Sequence, residues 1–124
     1  MLAIGPKPRE NTWLWLAKLV SGALVFTLII VHIVVNHLIS SKGLLSYADV
    51  VAYLSNPWIA LMESTFLVIV VAHSLLGTRS ILLDLNPSAS IMRTIDWLFG
   101  LIGLVAVVYG IWLIQVIIHS PVGG

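Results

Sequence analysis

Three long apolar runs, separated by short polar stretches, dominate the chain. They extend approximately over residues 13–39, 58–83 and 95–118. About 20 consecutive apolar residues are enough to cross the hydrocarbon core of a bilayer. Backbone groups in hydrocarbon must be hydrogen-bonded within their own segment, so each run must be a helix. The pattern therefore predicts an all-α membrane protein with three transmembrane helices, forming a single domain over residues 1–124.

The polar stretches contain signals for helix ends. Asn11 or Thr12 can cap the first span, and Pro57 in "SNP" suits the first turn of the second span. The segment "NPSAS" from Asn86 ends the second span. In the loop between the first two spans, residues 47–54 are expected to form a short interfacial helix.

The composition supports a membrane environment. Of the 124 residues, 60% are hydrophobic and 9% are charged, whereas soluble domains carry roughly a quarter charged residues. The net charge of +1 and the scattered basic residues do not indicate nucleic-acid binding. The absence of cysteine excludes disulfides and cysteine-ligated iron–sulfur clusters on this chain.

The basic residues predict an orientation. Five of them flank what would be one side of the membrane: Lys7, Arg9, Lys18, Arg79 and Arg93. The first loop has only Lys42. The positive-inside rule then predicts the N-terminus inside and the C-terminus outside. The initial methionine without a transit-like segment favours a prokaryotic cytoplasmic (inner) membrane.

The second span carries a polar stripe. Gly77, Ser80 and Asp84 fall within about 40° of His73 on a helix, and Arg79 lies away from them with a side chain long enough to reach the interface. Ionisable groups inside membranes are costly and usually functional. His73 is therefore either an interhelical hydrogen-bonder or a metal ligand, and the residues that follow it favour a ligand.

The first and third spans show related patterns. Lys18, Ser21 and His32 share one stripe of span one, and His32 is either a second ligand or a hydrogen-bonder within its span. Span three carries small residues along one side, which favours close helix packing. These small residues are Gly100, Gly103, Ala106 and Gly110.

The surroundings of His73 indicate the kind of metal. No second histidine follows at i+3 or i+4, and no cysteine or carboxylate pair is near, which disfavours a zinc or di-iron site within the chain. Haem iron needs only two axial ligands from facing helices. The second ligand would come from another chain, or less readily from His32.

Three segments resemble a known family. "HSLLGTRSILLD", residues 73–84, resembles the second-span signature of the small membrane anchors of succinate dehydrogenase, with fumarate reductase anchors as the close alternative. "WLWLAKLVSGALVF" resembles the first span of these anchors, and "VVYGIWLI" resembles their closing helix. The resemblance covers nearly the whole chain.

The resemblance implies a setting for this chain. Two anchor chains of the family pair into a six-helix bundle, hold haem b between them and carry the iron–sulfur subunit and, through it, the flavoprotein subunit. Quinone is reduced where the anchors meet the iron–sulfur subunit. His73 matches the axial haem ligand, Gly77 and Arg79 belong to the haem environment, and His32 matches the outer-haem histidine of two-haem relatives.

The resemblance also implies a quinone pocket near the inner surface. Its candidate residues are Lys18, Ser21, Ser80 and Asp84. Leu85 stands where some family members have a tyrosine that bonds the quinone, and Lys18 lies one position earlier than the usual basic residue. The partner anchor is then expected to supply more of the pocket.

The sequence predicts a haem b-binding anchor of succinate:quinone oxidoreductase, with one haem or two, and with the dicarboxylate chemistry on partner chains. Three alternatives remain. They are a haem b anchor for another quinone-linked dehydrogenase, a small proton-coupled transporter using Glu63 or Asp84, and a haem-free anchor in which His73 only bonds a neighbouring helix. Glu63 itself is expected to be interfacial, near the start of span two.

Overall fold

The computed structural model describes residues 9–39 and 46–120. Its α-helices are α1 (Thr12–Ile33), α2 (Tyr47–Leu54), α3 (Pro57–Asp84) and α4 (Ala89–Ile118), and a π-helical segment, Val34–Ile39, continues α1. Three helical stretches are long and apolar enough to span a membrane: Thr12–Leu38, Pro57–Asp84 and Ala89–Ile118. The predicted all-α fold class with three spans is confirmed. Lys7 and Lys42, two of the residues behind the predicted orientation, lie outside the described residues.

The helix ends follow the predicted signals in most places. Asn11, rather than Thr12, caps α1, since its side-chain oxygen accepts the Trp13 backbone N–H at 3.0 Å. Pro57 occupies the first turn of α3. After α3 the backbone of Asn86 takes a left-handed conformation, with φ of 53°, which asparagine tolerates and which ends the helix.

Helix α4 begins earlier than the apolar run that predicted it. Its first residue is Ala89, and the Ser88 hydroxyl accepts the Ile91 backbone N–H at 3.3 Å. The sequence prediction placed the start at Ile95 because the continuous apolar run begins there. A capping side chain, and not the change in hydropathy, fixes where a helix begins.

Helix α3 lies between α1 and α4 and runs antiparallel to both. The small-residue side of α4 meets α3, since a Cβ atom on Gly103 would lie 2.8 Å from Leu75 Cδ1 and one on Gly110 would collide with Leu67. The predicted close-packing use is confirmed at these two glycines. A Cβ on Gly100 would meet nothing within 4 Å.

The described part of the chain has little interior of its own. Its buried hydrophobic side chains are Val51, Leu54 and Met92, and α1 and α3 contain no buried residue. The short helix expected over residues 47–54 is present as α2, which begins with a capping box between Ser46 and Asp49 and packs against α3 and α4; its interfacial position stays a prediction. Most apolar surface of the spans therefore faces lipid or further protein.

Candidate functional site

The imidazole of His73 lies against α1 of its own chain. His73 Nδ1 is 3.0 Å from the Ser21 hydroxyl oxygen, and that hydroxyl lies 3.0 Å from the Lys18 carbonyl oxygen, to which it donates. A serine hydroxyl has one hydrogen to give. It therefore accepts the Nδ1–H of His73, and the lone pair of the neutral ring is left on Nε2.

A glycine makes room for this ring. A Cβ atom on Gly22 would lie 3.1 Å from His73 Cε1 and 3.6 Å from His73 Nδ1. Any larger residue at this position would push the imidazole away from α1. The Ser-Gly pair of α1 thus serves the histidine twice, because the serine orients the ring and the glycine admits it.

The surface next to His73 on α3 is open. Gly77 lies one turn further along the helix, and a Cβ atom there would meet nothing within 4 Å. Among the described residues no hydrogen bond reaches His73 Nε2. The described side chains of this chain therefore neither bond His73 Nε2 nor cover the surface at Gly77.

Arg79 reaches the neighbouring helix. Its Nε donates to Asp96 Oδ1 at 2.6 Å and its Nη2 to Asp96 Oδ2 at 3.3 Å. This two-point pair joins the end of α3 to the start of α4. The role of Arg79 towards a haem stays a prediction.

Three of the four residues predicted for a quinone pocket come together. Lys18, Ser80 and Asp84 line one cavity of about 370 Å³, together with Arg9, Glu10 and Leu83. Ser21 is not among the lining residues and bonds His73 instead. The antiparallel packing of α1 on α3 places the start of one helix beside the end of the other, which brings these residues to one end of the bundle.

Glu10, which the sequence did not single out, occupies the polar centre of this cavity. Its Oε1 accepts from Lys18 Nζ at 2.9 Å and from the Ser80 hydroxyl at 2.6 Å. Lys18 Nζ also donates to the Ser80 oxygen at 2.6 Å, which closes a triangle. The Ser80 hydroxyl and the Lys18 ammonium hold the pKa of Glu10 below its ordinary value.

A second polar cluster lies towards the other end of the bundle, around His32. His32 Nδ1 is 2.9 and 3.0 Å from the two carboxylate oxygens of Glu63. The Tyr53 hydroxyl donates to Glu63 at 2.6 Å, and Asn36 donates to the Tyr53 oxygen at 3.0 Å. Burial, and then the neighbouring Glu63 carboxylate, raise the pKa of Tyr53.

Glu63 lies between helices and not on the outside of α3, and its interfacial depth stays a prediction. Its side chain is 13% exposed, and it receives polar groups from α1, α2 and the π-helical segment. The spacing along the chain could have predicted the His32–Glu63 pair. His32 follows Ser21 by eleven positions, and Glu63 precedes His73 by ten. In antiparallel helices of equal rise, these spacings place both contacts in one register.

The second polar cluster borders a cavity of about 420 Å³ with mostly apolar walls. His32, Asn36, Tyr53 and Glu63 line it on the polar side. The apolar lining comes from the three helices α2, α3 and α4: Val50, Leu54, Phe66, Leu67, Val70, Gly110 and Ile114. The His32 ring also stacks obliquely on Phe66, with ring centres 5.3 Å apart.

The fold and these sites define a class: a three-span helical membrane protein with two histidines at different depths, each bonded to a polar group of another helix. The family described as the succinate dehydrogenase/fumarate reductase transmembrane subunit matches residues 5–111. The chain belongs to this family. It is also similar to the succinate dehydrogenase hydrophobic membrane anchor subunit of Archaeoglobus fulgidus, with 31% identity over 100 residues, covering 81% of this chain and 85% of the relative. No solved structure matches the chain.

The family assignment establishes a membrane-anchor subunit and therefore an integral membrane protein. It confirms the resemblance on which the sequence prediction rested, and it covers the fumarate reductase alternative equally.

Proposed function

We propose that the chain is the haem b-binding membrane anchor of a succinate:quinone oxidoreductase. It would pair with a second anchor chain into a six-helix domain and tether the iron–sulfur and flavoprotein subunits at one membrane surface. The observation that carries the proposal is the His73 imidazole, which Ser21 holds through Nδ1 and whose Nε2 has no hydrogen-bond partner among residues 9–39 and 46–120. The printed name of the Archaeoglobus fulgidus relative, a membrane anchor subunit of succinate dehydrogenase, supports the tethering role.

The residues around His73 fit a haem. Metal-ligating histidines usually give their second ring N–H to an oxygen atom, which fixes the tautomer and the ring orientation, and Ser21 provides that oxygen. The open space at Gly77 suits the approach of a flat group. His73 Nε2 would hold the haem iron from this chain, and a partner chain would supply the second iron ligand. A bound haem supplies one-electron transfer within the membrane.

The cavity at the start of α1 fits the polar end of a quinone. A quinone carbonyl oxygen only accepts hydrogen bonds, and Ser80 and Lys18 present donors in the cavity. Reduction of one quinone takes two electrons, which arrive from the iron–sulfur subunit, and two protons. Asp84 lines the same cavity and is the candidate proton donor. Leu85 has no hydroxyl to offer, and the donors that line the cavity are those of Ser80, Lys18 and Arg9.

A second haem at His32 is supported by a separate observation. The Glu63 carboxylate engages His32 Nδ1, which is the arrangement of a carboxylate behind a metal-ligating histidine. Among the described residues no hydrogen bond reaches His32 Nε2, and the apolar cavity lies beside the ring. His32 would then ligate the outer haem of a two-haem anchor.

The proposal is tested on the complex purified through a tag on this chain. We expect flavoprotein and iron–sulfur subunits to co-purify, together with a second anchor and succinate-dependent reduction of a short-chain quinone. If the soluble subunits of another dehydrogenase co-purify instead, this chain is the anchor of that enzyme and not of succinate dehydrogenase. Ser80→Ala and Lys18→Ala should raise the KM for quinone, since each removes a hydrogen-bond donor. An unchanged KM in both variants would place the quinone site elsewhere.

A further inference from the structure

The Glu10 carboxylate accepts hydrogen bonds from Ser80 and Lys18, which are two donors that a quinone in this cavity would use. Its Oε1 takes the single hydrogen of the Ser80 hydroxyl at 2.6 Å and one hydrogen of the Lys18 ammonium at 2.9 Å. Lys18 gives a further hydrogen to the Ser80 oxygen. With Glu10 in this position, the Ser80 hydroxyl has no hydrogen left for a carbonyl oxygen.

A quinone carbonyl and an ionised carboxylate make the same demand. Both are hydrogen-bond acceptors, so both need the Ser80 and Lys18 donors at the same place. The remaining groups that line the cavity are Arg9, Leu83 and Asp84. Arg9 and Asp84 make no hydrogen bond to Glu10 among the described residues, so they do not hold the carboxylate in place.

The position of Glu10 in the chain allows it to leave. It precedes the cap residue Asn11, whose side chain accepts from Trp13 and whose carbonyl accepts the first helical bond from Trp15 at 2.9 Å. Helix α1 therefore keeps its cap and its first turn when Glu10 moves. The Glu10 side chain is already 29% exposed, so its carboxylate can exchange the two donors for water.

From these contacts we propose that Glu10 is an internal competitor for the quinone site, and that quinone enters by displacing its carboxylate from Ser80 and Lys18. Glu10 is then a positioning residue that sets the apparent affinity for quinone. The inference rests on the proposed quinone site. A site that is open only part of the time binds its ligand more weakly in proportion to the open fraction.

The test measures quinone kinetics in the intact complex, with succinate as the reductant and a short-chain ubiquinone as the acceptor. Glu10→Ala should lower the KM for quinone by about threefold or more and leave kcat within about twofold, because it frees the donors without touching the electron path. Glu10→Gln should lower the KM less, since its neutral amide oxygen still accepts from Ser80 but binds Lys18 weakly. Asp49→Asn, a carboxylate removed at the opposite end of the bundle, should leave both constants unchanged.

Two further variants separate the inference from the function on which it rests. In Ser80→Ala and Lys18→Ala the KM should rise, and adding Glu10→Ala to Ser80→Ala should produce a smaller decrease than in the wild type. If the donor variants raise the KM but Glu10→Ala leaves it unchanged or raises it, the competitor role is overturned and the quinone site stands. If neither donor variant changes the KM, both the site and the competitor role are overturned.

Discussion

Ser21 and His73 form a directed pair across the α1–α3 interface, with the serine oxygen 3.0 Å from His73 Nδ1. The serine gives its hydrogen to the Lys18 carbonyl and so accepts from the ring. This direction leaves the Nε2 lone pair available for a metal. The pair lies within two membrane-spanning helices, where an ionisable side chain is costly and usually functional.

Removing the Ser21 hydroxyl should weaken haem binding without removing the ligand. In Ser21→Ala the Nδ1–H loses its acceptor, and loss of such a partner typically costs about 10–100-fold in metal affinity. Haem content of the purified complex, measured per mole of this chain, checks the prediction. Ser74→Ala is the matched control, because the Ser74 hydroxyl bonds only the Val70 carbonyl of its own helix at 2.7 Å. Equal haem content in both variants would contradict a role for Ser21.

Two glycines with open surroundings should respond differently to alanine. A Cβ atom on Gly77 or Gly100 would meet nothing within 4 Å, and glycine to alanine favours a helix by about 1 kcal/mol. Only Gly77 lies on the His73 face. We expect Gly77→Ala to lower haem content and Gly100→Ala to leave it unchanged, as seen in the absorption of the purified complex. The same haem content in both variants would mean that haem does not lie over Gly77.

His32 and Glu63 should be energetically coupled. Residues that share a hydrogen bond typically show coupling energies of about 0.5–3 kcal/mol in double-mutant cycles. His32→Ala and Glu63→Ala should each lower the Tm of the complex, and the double variant should lower it by less than the two effects added. Thr65→Ala is the control, since its hydroxyl bonds only the Leu61 carbonyl at 2.8 Å. Additive losses would show that the pair does not join α1 to α3.

The stabilisation that the Glu10 carboxylate gains from Lys18 and Ser80 should depend on pH. The pKa of Glu10 is lowered from its ordinary value of 4.5 by the Ser80 hydroxyl and the Lys18 ammonium. A group with a depressed pKa stabilises the folded state above its ordinary pKa, and this contribution is lost as the pH falls through the lowered value. The wild type should therefore have a higher Tm than Glu10→Gln at about pH 7, and the difference should shrink as the pH falls below 4.5 and through the lowered pKa of Glu10. A difference in Tm that persists at acidic pH would contradict a stabilising contact that requires the ionised Glu10 carboxylate.

The fold was predictable because the apolar runs and capping residues act locally. Asn11, Pro57 and the helix over Tyr47–Leu54 could be placed from neighbouring residues alone. The start of α4 was missed because Ser88 caps a turn that precedes the apolar run.

Only the features of the candidate site that lie on a single helix could be predicted from the sequence. His73 stood out because a histidine within a span is rare. Predicting its contact with Ser21 requires the register between α1 and α3, which the sequence of either helix alone does not give. The contact of Glu63 with His32 was missed for the same reason, since the sequence of its own helix shows only its distance from Pro57. The contact of Glu10 with Lys18 and Ser80 depends on the path of the chain before α1, which no periodicity encodes.

The measurement that tests the central claim most directly is the dithionite-reduced minus oxidised absorption spectrum of the complex purified through this chain. Wild type, His73→Ala and His32→Ala are compared side by side at equal subunit content. We predict a b-type spectrum in the wild type that His73→Ala abolishes, and a partial loss in His32→Ala if an outer haem is present. A wild-type complex without haem, or a full b-type spectrum in His73→Ala, would contradict the assignment of His73 as the haem ligand.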